Sequence, residues 1–531
     1  MKKQSFLSGA FVLAAVGVIT KFFGALYRIP LTWLIGDEGM GLYGMSYPLY
    51  NMLLVLSTAG IPVAISKLVS EKVTQGDYQE AYRVFHVALL ILASTGLLFS
   101  GMLLLGAKPL VERGFLQDRR AYYAVISIAP AIFFVSVMSA FRGFFQGMQT
   151  MVPTAMSQLV EQLVRAATAL LLAYYLFGWG IEYAAAGAAF GAATGALAGL
   201  FLLLIYYRKG AYYVGPRLYQ GGQSSNGEII RRIVNLAIPV SLASLVMPIM
   251  QNIDVVIVPI RLGVAGYTTS EATALFGQLS QMAATLINLP TIITVALAVS
   301  LVPAISEAFT LGDLSLVRAR VKASVRITIM LQLPAFVGLY LLADEIMALL
   351  YGHPEAGVAL SGLSAGVLFL GLHQATSGTL QGLGRTDVPV KNLLVGAVFK
   401  VLLTYYLTAF PAFGIKGAAL GTVTCFIISA SLNLLAIGRL VGFALDIKEM
   451  FLKPAVAVLG MTFAVVQSHG LFLSLSGRSS MATLGAIAIG VVAYCILILL
   501  VGGLRAQDFE LIPWVGSKIA ANLKRFGLLR S

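Results

Sequence analysis

The sequence predicts an all-α integral membrane protein of about fourteen transmembrane helices, with two parallel-repeat six-helix lobes around a central cavity and two extra helices. Three observations predict it. Of 531 residues, 59% are hydrophobic and 11% are charged, whereas soluble domains carry about 25% charged residues. A mean hydropathy of +0.89 over this length suits a chain whose main solvent is lipid. Three motifs also recur, in order, between the first and second halves.

A bilayer core takes roughly 20 apolar residues per helix. Runs of that kind fall at 6–35, 42–69, 82–107, 121–147, 154–177, 181–207, 229–260, 274–305, 320–342, 357–381, 390–410, 414–437, 453–473 and 480–503. The first follows Met1-Lys2-Lys3, as a signal peptide would. It is too long for one and lacks a small-residue cleavage site, so it reads as a retained helix. Pro48, Pro62, Pro239, Pro290 and Pro334 lie within spans; such kinks are tolerated where neighbouring helices satisfy the freed backbone.

The polar stretch 208–228, with its Gly-Gly-Gln-Ser-Ser-Asn-Gly run, reads as a linker. The expected organisation is an N-lobe at 1–207, the cytoplasmic linker 208–228, a C-lobe at 229–437, an extra helix pair at 438–503 and a cytoplasmic tail at 504–531. The tail carries Trp514, Ile519, Leu523, Phe526 and Leu528 among Lys518, Lys524, Arg525 and Arg530. Two readings stand for it, an interfacial amphipathic helix and a frayed basic end.

With the N-terminus cytoplasmic, roughly 25 Lys and Arg fall inside and roughly 8 outside, a positive-inside bias. The even helix count then puts both termini in the cytoplasm. One loop dissents: Lys108, Arg113, Arg119 and Arg120 fall outside, with Glu112 and Asp118 among them. It reads as an amphipathic surface helix. The net charge of +14 is thus an orientation signal in short loops, and no nucleic-acid partner is expected. Cys425 and Cys495 sit in apolar runs and no histidine pair has metal-ligand spacing, so neither a disulfide framework nor a zinc site is expected.

The repeat is explicit. Ser70-Glu71-x-x-Thr74-x-Gly76-Asp77 recurs as Ser306-Glu307-x-x-Thr310-x-Gly312-Asp313. Gln146-Gly147 through Val152-Pro153 recurs as Gln381-Gly382 through Val388-Pro389, with one inserted residue. Gly187-Ala-Ala-x-Gly191-x-x-Thr194 recurs as Gly417-Ala-Ala-x-Gly421-x-x-Thr424. Each copy covers six spans, so both halves enter the membrane with the same orientation. Transporters built this way bind substrate between the halves and rock them for alternating access.

Four further motifs carry a family resemblance. They are Thr20-Lys21-Phe-Phe-Gly24-Ala-Leu-Tyr27-Arg28-Ile-Pro30, Gly60-Ile-Pro62-Val-Ala64-Ile-Ser66-Lys67, Phe141-Arg142-Gly143-Phe-Phe-Gln146-Gly147-Met-Gln149-Thr150-Met-Val-Pro153-Thr154 and Glu161-Gln162-Leu-Val-Arg165. Together with two six-helix lobes and an extra pair, they resemble the MOP flippase superfamily in its lipid II flippase (MurJ-like) branch. The local sequence is closer still to the SpoVB/YtgP-type polysaccharide biosynthesis proteins of Gram-positive bacteria, over nearly the whole chain. The resemblance implies a flippase of the bacterial plasma membrane that exports an undecaprenyl-pyrophosphate-linked sugar, lipid II above all. It leaves vegetative and sporulation roles both open, with cell-wall synthases as partners. The helix 1 motif departs from the Ser-Arg-x-x-Gly-x-x-Arg-Asp of that branch. Lys21 takes the first basic place, Tyr27 the second, and Arg28 the acid's, and a one-residue shift turns a helical side chain by about 100°.

Such a substrate needs cations for its diphosphate, a wet cavity for its sugars and lipid contact for its tail. Intramembrane ionisable residues are the place to look. Lys21 and Arg28 lie seven apart on one face of helix 1, as diphosphate ligands or as snorkelling side chains. Glu161 and Arg165 are four apart and can pair. That pair is either a packing device or a site at which Arg165 swaps from Glu161 to phosphate. Lys400 lies on the repeat partner of that helix. Helix 7 carries Gln251, Asn252, Asp254 and Arg261; Asp254 would hold a coupling Na⁺ or H⁺, or pair with a cation. Asn51, His373 and Gln374 read first as interhelical hydrogen-bonding groups, and Arg142 as loop-end structure.

No enzyme motif is present. The stretch Gly187–Gly199 lies inside an apolar helix, follows no strand and is a packing face. No catalytic residue or cofactor is expected, and without a Walker motif the drive must be Na⁺, H⁺ or the membrane potential. Three rivals remain: a MATE-type multidrug cation antiporter, which would want cavity acids; a flippase for another lipid-linked oligosaccharide; and a non-transporting scaffold for cell-wall or sporulation proteins, for which cavity charge is needless.

Overall fold

The computed structural model describes residues 6–58, 60–210, 225–444, 446 and 448–503. The tail from 504 and most of the linker lie outside the described residues. Eighteen α-helices and no strand occur among the described residues. In order they are α1 (Phe6–Leu26), α2 (Arg28–Thr58), α3 (Ile61–Thr74), α4 (Tyr78–Glu112), α5 (Ala121–Gly147), α6 (Val152–Leu176), α7 (Ile181–Gly210), α8 (Asn226–Val264) and α9 (Thr269–Gly277). Then come α10 (Ala284–Thr310), α11 (Leu314–Leu341), α12 (Ala343–Tyr351), α13 (Gly357–Leu363), α14 (Gly366–Gly382), α15 (Asp387–Leu407), α16 (Ile415–Val441), α17 (Lys453–Ser476) and α18 (Ser479–Leu500).

Among the described residues, thirteen helical stretches are long and apolar enough to cross a bilayer. One of them, Ala15–Thr74, runs for 60 residues, enough for two crossings at roughly 20 residues each. It is broken at Gly36, whose φ of 65° and ψ of −176° suit a residue without Cβ. The long apolar run expected as helix 1 is therefore α1 plus the first turns of α2.

Packing divides the chain into two compact units, Met1–Gln281 and Met282–Ser531. α8 and α9, which the repeat assigns to the second half, pack on α2 within the first unit. The first unit's core centres on Phe85, Phe141 and Phe144, with Tyr207 against them. Interhelical hydroxyls join it: Ser57 and Ser136 lie 2.7 Å apart, and Ser100 donates to the Ala129 carbonyl at 2.9 Å. In the second unit, α17 and α18 form a hairpin beside α11, where the Tyr494 hydroxyl donates to the Met330 carbonyl at 2.6 Å.

The repeated motifs occupy equivalent local structures in the two units. Thr74 and Thr310 each donate to a carbonyl four residues back, Ser70 and Ser306, at 2.8 Å. Gly76 and Gly312 turn the chain with φ of 79° and 72°. Asp77 and Asp313 then cap α4 and α11, accepting from the amides of Glu80 and Leu316 at 3.0 and 2.9 Å. The Gln-Gly motifs end helices that pack backbone to backbone. A Cβ on Gly143 would meet the Pro62 carbonyl oxygen at 2.7 Å, and one on Gly378 would meet that of Ala298 at 2.6 Å. Pro62 and Ala298 are themselves counterparts in the first repeat.

The dissenting loop is not a surface helix. Lys108 and Glu112 belong to the end of α4 and pair at 3.8 Å. Residues 113–120 then form turns around Asp118, which is 2% exposed. Arg120 bonds both Asp118 oxygens, at 3.1 and 2.7 Å, and Glu38 at 2.6 Å. Thr273 of α9 donates to Asp118 at 2.9 Å, Ser270 donates to Glu38, and Gln278 donates to Asp37 at 2.7 Å. Burial opposes ionisation of Asp118, but the hydrogen bonds from Arg120 and Thr273 outweigh it and hold the carboxyl below its usual range. Two acids thus neutralise Arg120, so this loop's positive charge is not the orientation signal that a bare count of Lys and Arg suggests.

Candidate functional site

Glycines position the charged residues of α6. On α7, a Cβ at Gly191 would meet the Arg165 carbonyl oxygen at 2.8 Å, and one at Gly195 would meet that of Glu161 at 2.5 Å. Only bare backbone lets the helices approach this closely. Held so, Glu161 accepts from two arginines: Arg142 of α5 at 2.8 Å and Arg165 at 3.1 Å. All three side chains are 13–16% exposed. Arg142 also donates through Nε to Ser157 at 3.0 Å. The cluster carries one net positive charge within transmembrane helices, where uncompensated charge is costly. With one guanidinium on each oxygen, the Glu161 carboxylate is already claimed on both sides and is a poor cation ligand.

Tyrosines flank this cluster. On α2, Tyr43 and Tyr47 have ring centroids 4.7 Å apart, and Tyr47 and Tyr50 5.9 Å apart. The Tyr27 and Tyr43 hydroxyls meet at 2.6 Å. Tyr27, Tyr47 and Tyr50 lie within electrostatic reach of Arg165, and Tyr27 and Tyr43 within that of Arg28. Arg28 is half-buried and has a partner. Lys21 is exposed on α1, and no hydrogen bond or ion pair holds it among the described residues. Its helix leans on α6, where a Cβ on Gly24 would meet the Gln162 amide nitrogen at 3.4 Å.

The other expected residues separate. Asp254 and Arg261 are half-buried on α8, and each has a partner. Asn252 donates to the Pro48 and Pro248 carbonyls at 2.7 and 2.8 Å, which pins α8 to α2. Gln251 is exposed and Asn51 half-buried. Lys400 lies in the second unit, 5% exposed and partnered. His373 bonds Ser429 at 2.8 Å, and Gln374 accepts from Thr294 at 2.6 Å.

Two sets of residues escaped the sequence reading. Arg142 is not loop-end structure but the second arginine on Glu161. Its signal was a lone cation inside an apolar run. Tyr43, Tyr47 and Tyr50 follow the spacing of one helical face, and that signal was legible too.

Fold and site together define a multi-pass membrane protein with a cationic, aromatic-lined cluster in one unit. The solved structures it resembles are transporters. It matches "Lipid II flippase MurJ, inward closed conformation" with a TM-score of 0.66 at 16% identity, covering 93% of this chain and 98% of that one. It also matches an inward-facing multidrug resistance MATE family transporter of the MOP superfamily, with a TM-score of 0.63 at 16% identity, covering 79% and 94%. The chain belongs to the polysaccharide biosynthesis protein family, whose model matches residues 6–309. Among curated relatives it is 31% identical to stage V sporulation protein B of Bacillus subtilis (strain 168), over 98% of this chain and 100% of that one. It is 28% identical to lipid II flippase MurJ of the same organism, over 88% and 90%.

Proposed function

We propose that this chain is a flippase exporting an undecaprenyl-pyrophosphate-linked cell-wall precursor, lipid II first among candidates, by alternating access. One observation carries the reading: a half-buried cluster in the first unit in which Arg142 and Arg165 share Glu161, with Arg28 sharing its tyrosine surround. Buried cation excess suits a diphosphate and repels a cationic drug, so it disfavours a multidrug antiporter despite the MATE-like fold. A relative named as a lipid II flippase over 88% of the chain adds support.

In this reading the head group enters from the cytoplasm. Lys21, Arg28 and Arg165 of the first unit take the diphosphate. Asp254 and Arg261 of α8 add to the substrate contacts, Asp254 either holding a coupling Na⁺ or H⁺ or pairing with a cation. The α17–α18 hairpin, with Leu459, Phe463, Val466, Leu484 and Val491 exposed, offers an apolar surface to the polyprenyl tail. An ion gradient or the membrane potential gives direction; one charge across 100 mV is worth about 2.3 kcal/mol. Reconstituted protein should flip lipid II in proteoliposomes faster than protein-free controls. Equal rates with lipid II, but acceleration with a different lipid-linked sugar, would move the assignment to that substrate.

A further inference from the structure

Two arginines on one carboxylate are not held alike. Arg142 has a second anchor, its Nε on Ser157 at 3.0 Å, and Ser157 is itself tied to the Thr154 carbonyl at 2.7 Å. Arg165 has the longer bond to Glu161, 3.1 Å against 2.8 Å, with the Tyr50 hydroxyl as its other neighbour, and its Nε is buried with no acceptor. A guanidinium offers five donors in a fork that fits carboxylate and phosphate alike. Arg165 is therefore the member of the cluster with a buried donor to spare and the longer bond to the shared acid.

The second unit lacks this arrangement at the same station. A Cβ on Gly191 would meet the Arg165 carbonyl oxygen at 2.8 Å and one on Gly421 that of Lys400 at 3.0 Å; a Cβ on Gly187 would meet the Leu172 Cβ and one on Gly417 the Leu407 Cβ, both at 2.9 Å. In that register Lys400 matches Arg165, Gly396 matches Glu161 and Asn392 matches Ser157. The Gln-Gly motifs pair Arg142 with Ser377. Where the first unit has Ser157 and Arg142, the second has an uncharged network: Asn392 donates to Asn433 at 2.9 Å, and Asn433 donates to Thr376 and Ser377 at 3.1 and 3.3 Å. Among the described residues at this station, a half-buried acid shared by two arginines occurs in the first unit.

We propose that Glu161 is a built-in stand-in for the substrate's phosphate, a positioning residue that holds Arg165 in the empty carrier and yields it to a lipid diphosphate. This rests on the flippase reading above. Arg142, anchored on Ser157, keeps Glu161 in place during the exchange. When the diphosphate leaves, Glu161 recaptures Arg165, so the empty carrier resets without a bare buried cation. Glu161 thus weakens binding and speeds turnover.

The test uses the full chain in lipid nanodiscs, titrated with undecaprenyl pyrophosphate and, as a neutral control, undecaprenol, with flipping measured in proteoliposomes. Replacing the competing carboxylate by Glu161→Gln should tighten diphosphate binding about tenfold or more, the worth of one charge-assisted bond. Maximal flipping should slow several-fold, and undecaprenol binding should not change. Arg165→Gln should remove most of the preference for the diphosphate. If Glu161→Gln misfolds, Glu161→Asp, which keeps the charge and shortens the reach, should shift both quantities the same way by less. Unchanged or weaker diphosphate binding in a folded Glu161 variant, with Arg165→Gln still weakening it, would overturn the stand-in and leave Glu161 a packing acid. Equal binding of pyrophosphate and alcohol by the wild-type chain would instead overturn the flippase reading itself.

Discussion

Lys21 and Glu161 show the two ways a charge can sit in a membrane helix. Lys21 is exposed and held by nothing among the described residues, so removing it breaks no bond. Lys21→Ala should abolish export while thermal melting in detergent stays within about 0.5 kcal/mol of wild type. Lys21→Arg should keep part of the rate, since charge survives and geometry changes. Full export by Lys21→Ala would remove this residue from the diphosphate site. Glu161 is the opposite case. Its removal leaves two half-buried arginines without their shared anion, and Glu161→Ala should destabilise by about 3–5 kcal/mol. Arg142→Ala leaves Glu161 still paired with Arg165 and should cost less, about 1–3 kcal/mol. A melting series that reversed this order would contradict the shared-carboxylate geometry.

The informative elements are α2 and α9. Their backbones touch where Gly41 faces the Thr273 carbonyl and Gly277 faces the Asp37 carbonyl and the Gly41 amide. The turns around Asp118 lock the same end through Arg120, Glu38, Ser270 and Thr273. Gly277→Val has no room for its Cβ and must part the helices. Cysteines at Asp37 and Gln278, whose side chains now bond at 2.7 Å, should then crosslink several-fold less through a short thiol reagent. The lock also has a pH signature. Asp118 is held below its usual range, so its contribution is present above the ordinary Asp pKa and is lost as pH falls through the lower, folded value. The melting difference between wild type and Asp118→Asn should be steady at neutral pH and shrink only in strong acid. A difference that vanished between pH 6 and 8 would point to another group.

At the scale of the molecule, the proposed alternating access predicts that the seam between α2 and α9 opens once per cycle. A crosslink joining residues 37 and 278 should stop export, and its cleavage should restore it. Continued export at full rate with the clamp closed would exclude that motion. Orientation is a separate expectation. With both termini cytoplasmic, an external thiol reagent should label a cysteine at Gly180 and miss one at Ser225. The reverse pattern would invert the topology.

Hydropathy and motif order, read from the chain alone, determined the helical membrane class, the crossings, the internal repeat and the family resemblance. Each is encoded locally: apolar runs of bilayer length, a Gly-Asp corner that turns and caps, and glycines spaced along one helix face. The Glu161–Arg165 pair was also legible, because residues four apart on a helix are neighbours whatever the fold. Only the tertiary structure decided that Arg142 shares that acid, that Arg120 is neutralised by Asp118 and Glu38, and that α8 and α9 pack with the first unit. Apart from Arg120 and its neighbour Asp118, those pairings join residues far apart in the chain and on different helices. Which side chains meet there is set by close backbone approach at glycines such as Gly195 and Gly277, and helical periodicity carries no record of a neighbour on another helix.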